Sequence, residues 1–107
     1  MKSKIYYAWA ARQDLDDIWD YIVEELANVS AAAKTVDQIM ERIDPLADFP
    51  EMGPPLSSIA DTEKDYRFLV SGNHLIFYRL RGSDVYIDRV LYGRRDYLRV
   101  LFDKGQA

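Results

Sequence analysis

Arginine and tyrosine side chains are concentrated in the second half of this 107-residue chain. A guanidinium group is a planar fork of N–H donors that binds carboxylates and phosphates, and a tyrosine ring adds a rigid apolar surface with a polar tip. Together they are typical of a surface that binds an acidic protein or RNA. The arginines are Arg67, Arg79, Arg81, Arg89, Arg94, Arg95 and Arg99, and the tyrosines among them are Tyr66, Tyr78, Tyr86, Tyr92 and Tyr97.

The net charge of −4 conceals an uneven distribution along the chain. Residues 1–63 contain five Lys or Arg and thirteen Asp or Glu, a balance of −8, whereas residues 64–107 contain nine and five, a balance of +4. A basic segment beside an acidic one favours an acidic partner. For each arginine taken singly, pairing with a nearby aspartate stays open as an alternative. These aspartates are Asp65, Asp84, Asp88 and Asp96.

Residues that bind metals or act as nucleophiles are scarce. The chain has no cysteine and a single histidine, His74, so we expect no thiolate or histidine metal set and no Ser-His-Asp triad. The carboxylates of Asp14, Asp17 and Asp20 lie about one helical turn apart, but nothing supplies further oxygen ligands, and we interpret them as a solvated face. The glycines are isolated turn residues, without a phosphate-binding loop. We therefore predict no metal, no cofactor and no catalytic residue.

The length and composition predict a single domain over residues 1–107. Nearly half of the residues are apolar, which is enough for a core. The N-terminus lacks the apolar segment of a signal peptide, and no apolar run approaches the roughly 20 residues that span a bilayer. We expect a cytoplasmic protein without a membrane segment.

The first half predicts a strand followed by two helices. Residues 4–8 are short, aromatic and β-branched, as in a strand. From Leu15 to Leu26 apolar residues recur with helical spacing, and Ser30 is the expected N-cap of a second helix. So short a turn predicts an antiparallel helical hairpin. Pro45 should end the regular second helix near Asp44, with Leu46, Ala47 and Phe49 still packing on the core.

The second half predicts a β-meander after a turn-rich loop at residues 50–61, whose role the sequence does not indicate. Strands are expected over residues 65–70, 74–81 and 85–92, separated by glycine-containing turns. In the last strand, alternation places Val85, Ile87, Arg89 and Leu91 on one face. A short basic helix or tail should follow. The order β-α-α-β-β-β predicts an α+β fold, a helical hairpin packed on a mainly antiparallel sheet.

Several segments resemble the RelE/ParE toxin superfamily over roughly residues 4–102. The most specific pair is Leu-Ile-Phe-Tyr-Arg at residues 75–79 and Arg-Val-Leu-Tyr-Gly-Arg-Arg-Asp at residues 89–96. Residues 14–22, 49–53 and 66–70 add to it. The resemblance implies the toxin of a type II toxin–antitoxin system (a plasmid-stabilisation toxin), neutralised by a small cognate antitoxin. RelE-like members cleave mRNA on the ribosome, whereas ParE-like members are thought to act on DNA gyrase.

Three positions favour the ParE-like branch. Leu69 and Leu75 stand where RelE-like toxins keep basic residues, and Leu101 falls near the position of their C-terminal tyrosine. Phosphodiester cleavage needs an acid or base together with clustered cations, so the resemblance implies inhibition by binding. The alternative is a ribosome-dependent endoribonuclease that uses Arg67, Arg95 and Tyr97.

The predicted contact surface for antitoxin or target lies in the basic half of the chain. The resemblance implies a small antitoxin protein as partner and DNA gyrase as a candidate target, with DNA contacted only through the antitoxin complex. We expect the antitoxin to place an acidic, amphipathic strand or helix in an apolar groove between hairpin and sheet. The residues predicted to face a partner are Arg67, Arg79, Arg94, Arg95, Asp96 and Tyr97.

Overall fold

The computed structural model describes residues 2–60 and 65–93, and its elements follow the predicted order β-α-α-β-β-β. The α+β fold is therefore confirmed. The predicted basic helix or tail after Gly93 lies outside the described residues. The elements are β1 (Ile5–Tyr7), α1 (Trp9–Leu26), α2 (Val29–Ile43), a 3-10 turn (Asp44–Ala47), a second 3-10 turn (Leu56–Ser58), β2 (Arg67–Ser71), β3 (His74–Arg81) and β4 (Asp84–Tyr92).

The turn between the helices depends on two residues that the sequence analysis did not single out. Ala27 ends α1 in the left-handed conformation with φ 49°. The Asn28 side chain then caps α2 by accepting a hydrogen bond of 2.9 Å from the Ala31 N–H. Helix α2 thus begins at Val29, and the predicted N-cap at Ser30 is wrong by two residues.

Helix α2 ends at Ile43, as Pro45 predicted, because proline supplies no N–H for a further helical turn. Leu46 packs in the core, also as predicted. Phe49 does not, since the chain turns after Ala47 and leaves this ring 64% exposed. The expected core position of Phe49 is therefore wrong.

The four strands form one mixed sheet in the order β1-β4-β3-β2. Strand β1 runs parallel to β4, and the other two pairs are antiparallel hairpins. Each hairpin turns through two residues, beginning with Gly72 or Gly82 at φ 58° and 61°. Glycine takes these left-handed angles without the Cβ clash that other residues meet.

Both helices pack on one side of the sheet, here called the helix face. Its core contains side chains from both helices, the 3-10 turn after α2 and the strands β2, β3 and β4: Ala11, Ile39, Ile43, Leu46, Leu69, Ile76, Tyr78, Val85, Ile87 and Val90. On the opposite face, Leu56 of the long loop packs over a smaller cluster formed by Tyr66, Phe68, Phe77 and Leu91. The sheet therefore has one face under helices and one partly covered by the loop. Within the described ranges, no helix is both long and apolar enough to cross a bilayer.

A bulge in β4 changes which residues face the helices. Phe77 pairs with Arg89 and Tyr78 with Ile87, so Asp88 is an extra residue on β4. One inserted residue reverses the alternation beyond it. Val90 consequently joins Ile87 in the helix-face core, while Leu91 packs on the opposite face. The prediction that Ile87 and Leu91 share a face is wrong.

Candidate protein-binding groove and the arginine positions

A groove of 540 Å³ lies between α1 and the adjoining ends of β3 and β4. Its lining is mainly apolar, with polar groups at a few points, as in sites that bind an apolar anchor with defined orientation. The lining residues are Asp14, Asp17, Ile18, Tyr21 and Ile22 from α1, Asn73 and His74 from the β2–β3 hairpin, and Val90, Leu91 and Tyr92 from β4.

The apolar stripe of α1 is only partly used by the core of the chain. Leu15 and Ile18 are half-buried, and Leu26 is 60% exposed. Tyr21, which lines the groove, is 62% exposed. A helix that packs only within its own domain normally buries such a stripe, so α1 offers apolar area to a second molecule.

The Asp14 side chain lines the groove and is hydrogen-bonded to the two residues that follow the bulge in β4. Its carboxylate accepts two hydrogen bonds of 2.8 Å from the Arg89 guanidinium and one of 2.9 Å from the Val90 N–H. These bonds leave Asp14 only 7% exposed, so its interpretation as part of a solvated face is wrong. The hydrogen bonds that Arg89 donates to Asp14 also raise the pKa of the Arg89 guanidinium. Sequence periodicity missed this role because Asp14 and Arg89 are 75 residues apart, and nothing near Asp14 in the sequence indicates which cation will bind it.

Metal binding has no support in the described ranges, where no three His, Asp or Glu side chains converge on one point. Asp14 has a cation partner already, in Arg89. Asp17 instead accepts a hydrogen bond of 3.0 Å from the Gln13 side chain at the surface.

His74 lines the groove and contacts the Tyr92 ring edge-on, with 5.9 Å between ring centroids. Burial lowers the pKa of His74 below its ordinary value of 6.5. The unfolded chain therefore binds more protons than the folded chain once the pH falls below about 6.5. Neutral His74 is compatible with the fold, and its protonation opposes folding.

We expect the free energy of unfolding to be retained above pH 6.5 and to decrease as the pH falls from 6.5 towards the lowered pKa of His74. Urea unfolding at pH 7.5, 6.5 and 5.5 measures this loss. His74→Phe keeps a ring against Tyr92 but cannot titrate, so its stability should change less over the same interval. Equal pH dependence in both proteins would contradict the assignment to His74.

Arg67 is directed to the long loop. One of its terminal nitrogens donates to the carbonyls of Glu51 and Gly53, at 3.2 and 2.7 Å. The Tyr78 hydroxyl reinforces the same segment, because it accepts from the Gly53 N–H and donates to the Pro50 carbonyl, both at 2.9 Å. Burial raises the pKa of Tyr78, so this hydroxyl stays protonated as a donor. These contacts anchor the loop to the sheet.

Arg79 and Arg81 lie on the face of the sheet opposite the helices. The Arg79 guanidinium forms a 2.7 Å ion pair with Asp88 and lies 5.4 Å from the Tyr66 ring centroid. The Arg81 guanidinium lies 5.3 Å from the Tyr86 ring centroid. Arg67 pairs across the sheet with Tyr78, so its side chain and that of Arg79 project from opposite faces.

The described arginines do not converge on one site. Arg67 holds the loop, Arg79 pairs with Asp88, and no arginine of residues 2–60 and 65–93 lines the groove. For Arg79, the structure therefore supports the alternative interpretation, in which an arginine pairs with a nearby aspartate of its own chain. The other residues predicted to face a partner, Arg94, Arg95, Asp96 and Tyr97, lie outside the described residues.

The fold resembles that of a solved structure described as the chromosomal ParDE TA system from P. aeruginosa. The TM-score is 0.70, with 24% sequence identity over 85% of this chain and 96% of the other. At this level of identity the comparison establishes the fold alone. A helical hairpin on one face of this four-stranded sheet therefore defines the class, a small α+β domain with the fold of that structure.

Sequence comparisons place the chain more narrowly. Residues 5–97 match the family model of the ParE toxin of the type II toxin–antitoxin system, parDE. The chain is 39% identical to Toxin ParE1 of Caulobacter vibrioides over 82 residues, which cover 77% of this chain and 80% of that protein. It is 31% identical to Toxin ParE1 of Mycobacterium tuberculosis over 102 residues, 94% of this chain and 100% of that protein.

The chain belongs to the ParE toxin family, and it is the toxin component of a type II toxin–antitoxin system. The predicted family and the predicted role as toxin of a type II system are confirmed, whereas DNA gyrase as the target stays a prediction. Membership implies an antitoxin partner. The individual partner-facing residues and the cytoplasmic location stay predictions.

Proposed function

We propose that this toxin inhibits its target by binding and that the target is DNA gyrase. The proposal is supported by the resemblance to ParE-like toxins and by the positions of the described cations. Phosphodiester cleavage needs cations aimed at the developing charge. The Arg67 guanidinium is instead bonded to two loop carbonyls, and that of Arg89 is held by the Asp14 carboxylate.

The target proposal is tested with the purified chain in two assays. We expect the chain to inhibit DNA supercoiling by gyrase and to leave ribosome-bound mRNA intact. Cleavage of ribosome-bound mRNA that is lost in Arg95→Ala would support the endoribonuclease alternative through Arg67, Arg95 and Tyr97. If Arg95→Ala still inhibits supercoiling, residues other than Arg95 make the essential contacts with gyrase.

We further propose that the cognate antitoxin places an amphipathic segment in the groove beside α1. The observation that carries this proposal is the partly uncovered stripe of α1 next to a mainly apolar groove. The described charged groups of the groove are Asp14, paired with Arg89, and Asp17. In this scheme DNA contacts the antitoxin, and the toxin meets DNA only through that complex.

Tyr21→Glu should weaken binding of the cognate antitoxin by about a hundredfold, because exposed aromatic residues at the centre of an interface are frequent hot spots and a carboxylate there would be desolvated. Titration calorimetry with the purified antitoxin measures the loss. Phe49→Glu is the matched control, since Phe49 is 64% exposed against 62% for Tyr21 but lies on the loop, outside the groove lining. Equal affinities for the two variants would place the antitoxin elsewhere.

A further inference from the structure

The wall of the groove that α1 forms carries negative charge beside its apolar side chains. Asp17 and Tyr21 line the groove, are both exposed, and lie four residues apart on the same side of the helix. Glu24 and Glu25 follow Tyr21 by three and four residues, so they continue this side for one more turn. Both of these glutamates are exposed. The groove side of α1 therefore presents exposed carboxylates before and after one exposed aromatic ring.

The positive charge of the helices lies away from this wall. Arg12 is the only Lys or Arg of α1. It precedes Tyr21 by nine residues, which at about 100° per residue places it on the opposite side of the helix. The cations of α2 are Lys34 and Arg42, and neither of them lines the groove. The carboxylates on the groove side of α1 are therefore not neutralised from either helix.

The wall formed by the strands adds no charge of its own. It consists of Asn73, His74, Val90, Leu91 and Tyr92, without Lys, Arg, Asp or Glu. Burial lowers the pKa of His74, so this ring is neutral at pH 7.

One guanidinium, that of Arg89, offsets part of the negative charge. Its pKa is raised first by the hydrogen bonds to Asp14 and more weakly by the charge of Asp17, so it acts on both carboxylates. Asp14, Asp17, Glu24 and Glu25 oppose this single cation, which leaves a balance of −3 among these described groups. An apolar groove with this balance complements a segment that is both apolar and basic.

We propose that the antitoxin segment in this groove is basic and amphipathic, with Lys or Arg side chains that contact Asp17 and Glu24. The inference rests on the proposed function, in which the antitoxin binds this groove, and it adds the chemistry of the bound segment. Apolar side chains of the segment pack between Ile18 of α1 and Leu91 of β4. Asp17 and Glu24 are seven residues apart, roughly 10 Å along the helix axis, so cations about two helical turns apart match them.

This charge differs from that of the acidic segment that the sequence predicts. That expectation came from the basic second half of the chain, but Arg67 holds the long loop and Arg79 pairs with Asp88 on the opposite face of the sheet. The occupant of the groove meets carboxylates of the first half instead. Like charges across an interface are strongly disfavoured, so Asp17 selects for a basic partner segment and against an acidic one.

Asp17→Lys should weaken binding of the purified cognate antitoxin by at least about tenfold, because it places like charges opposite one another. Asp16→Lys is the matched control, since Asp16 is also an exposed carboxylate of α1 and the net charge changes equally. Asp16 precedes Tyr21 by five residues, about 140° around the helix axis. The control should therefore bind the antitoxin within about twofold of the unmodified chain. Titration calorimetry measures both affinities, and circular dichroism verifies that both variants are folded.

Salt provides a second measurement that does not depend on the folding of a variant. Affinity of the unmodified chain for the antitoxin should decrease between about 0.05 and 0.5 M KCl, because salt screens the contacts with exposed carboxylates. The decrease should be smaller for Asp17→Lys than for Asp16→Lys. Salt-independent affinity of the unmodified chain would contradict the inference.

The remaining outcomes separate this inference from the proposed function. Equal losses in Asp17→Lys and Asp16→Lys would reduce the effect to net charge and refute the inference. Stronger binding by Asp17→Lys would also refute it, whether from an acidic antitoxin segment or from release of the chain's own basic residues 94–107. If Tyr21→Glu loses affinity and Asp17→Lys does not, the groove stays the antitoxin site and only the basic segment is refuted. Unchanged binding by both of these variants would refute the proposed site as well.

Discussion

Asp14→Ala is expected to lower the free energy of unfolding by about 3 kcal/mol, because it removes one partner of a largely buried ion pair. The Arg89 guanidinium would lose both of its hydrogen bonds to Asp14, and the buried Val90 N–H would lose its acceptor. For a domain of this size, such a loss lowers the melting temperature by roughly 12 °C. Urea and thermal unfolding measure both quantities.

Two comparisons separate the ion pair from a general effect of substituting α1. Asp17→Ala removes an exposed carboxylate from the same helix and should change the free energy of unfolding by less than about 0.5 kcal/mol. The double variant Asp14→Leu/Arg89→Met replaces the pair by apolar side chains and should recover much of the loss. Equal losses for Asp14→Ala and Asp17→Ala would contradict a structural role for the pair.

Gly53→Ala is expected to destabilise the chain by about 3 kcal/mol, at the upper end of the usual cost of overpacking. An added Cβ would lie 2.5 Å from the Phe68 carbonyl oxygen and 2.7 Å from the Tyr78 hydroxyl. The first neighbour is backbone of β2 and the second is a buried ring, so neither can move aside easily. The substitution should also disturb the carbonyl that accepts from Arg67.

Gly72→Ala is the control that separates steric conflict from backbone conformation. Gly72 has φ 58° and no atom within 4 Å of its virtual Cβ, so alanine there should cost only about 1 kcal/mol, the penalty of a left-handed non-glycine residue. Urea unfolding gives the two losses, and hydrogen exchange at the Gly53 amide reports whether the loop has detached. A cost at Gly53 no larger than that at Gly72 would show that the loop yields to the added methyl group.

The sequence alone determined the element order and the fold class, because both depend on local properties of the chain. Helical spacing from Leu15 to Leu26, turn glycines and the helix-ending Pro45 each act over a few residues. The family resemblance likewise rests on linear segments. The N-cap was misplaced because Asn28 and Ser30 are both suitable capping residues, and only the left-handed Ala27 determines which of them is used.

Only the tertiary structure decided which of the charged side chains hold the fold together. The bulge at Asp88 reversed the alternation in β4, and nothing in the local sequence marks an inserted residue. That reversal placed Val90 under the helices, and the neighbouring Arg89 donates to Asp14, 75 residues away. Arg67 similarly donates hydrogen bonds to loop carbonyls that lie 14 and 16 residues before it. Charge and spacing identify side chains that can bind a partner. Whether a guanidinium binds a group of its own chain or of a partner depends on contacts between residues distant in sequence.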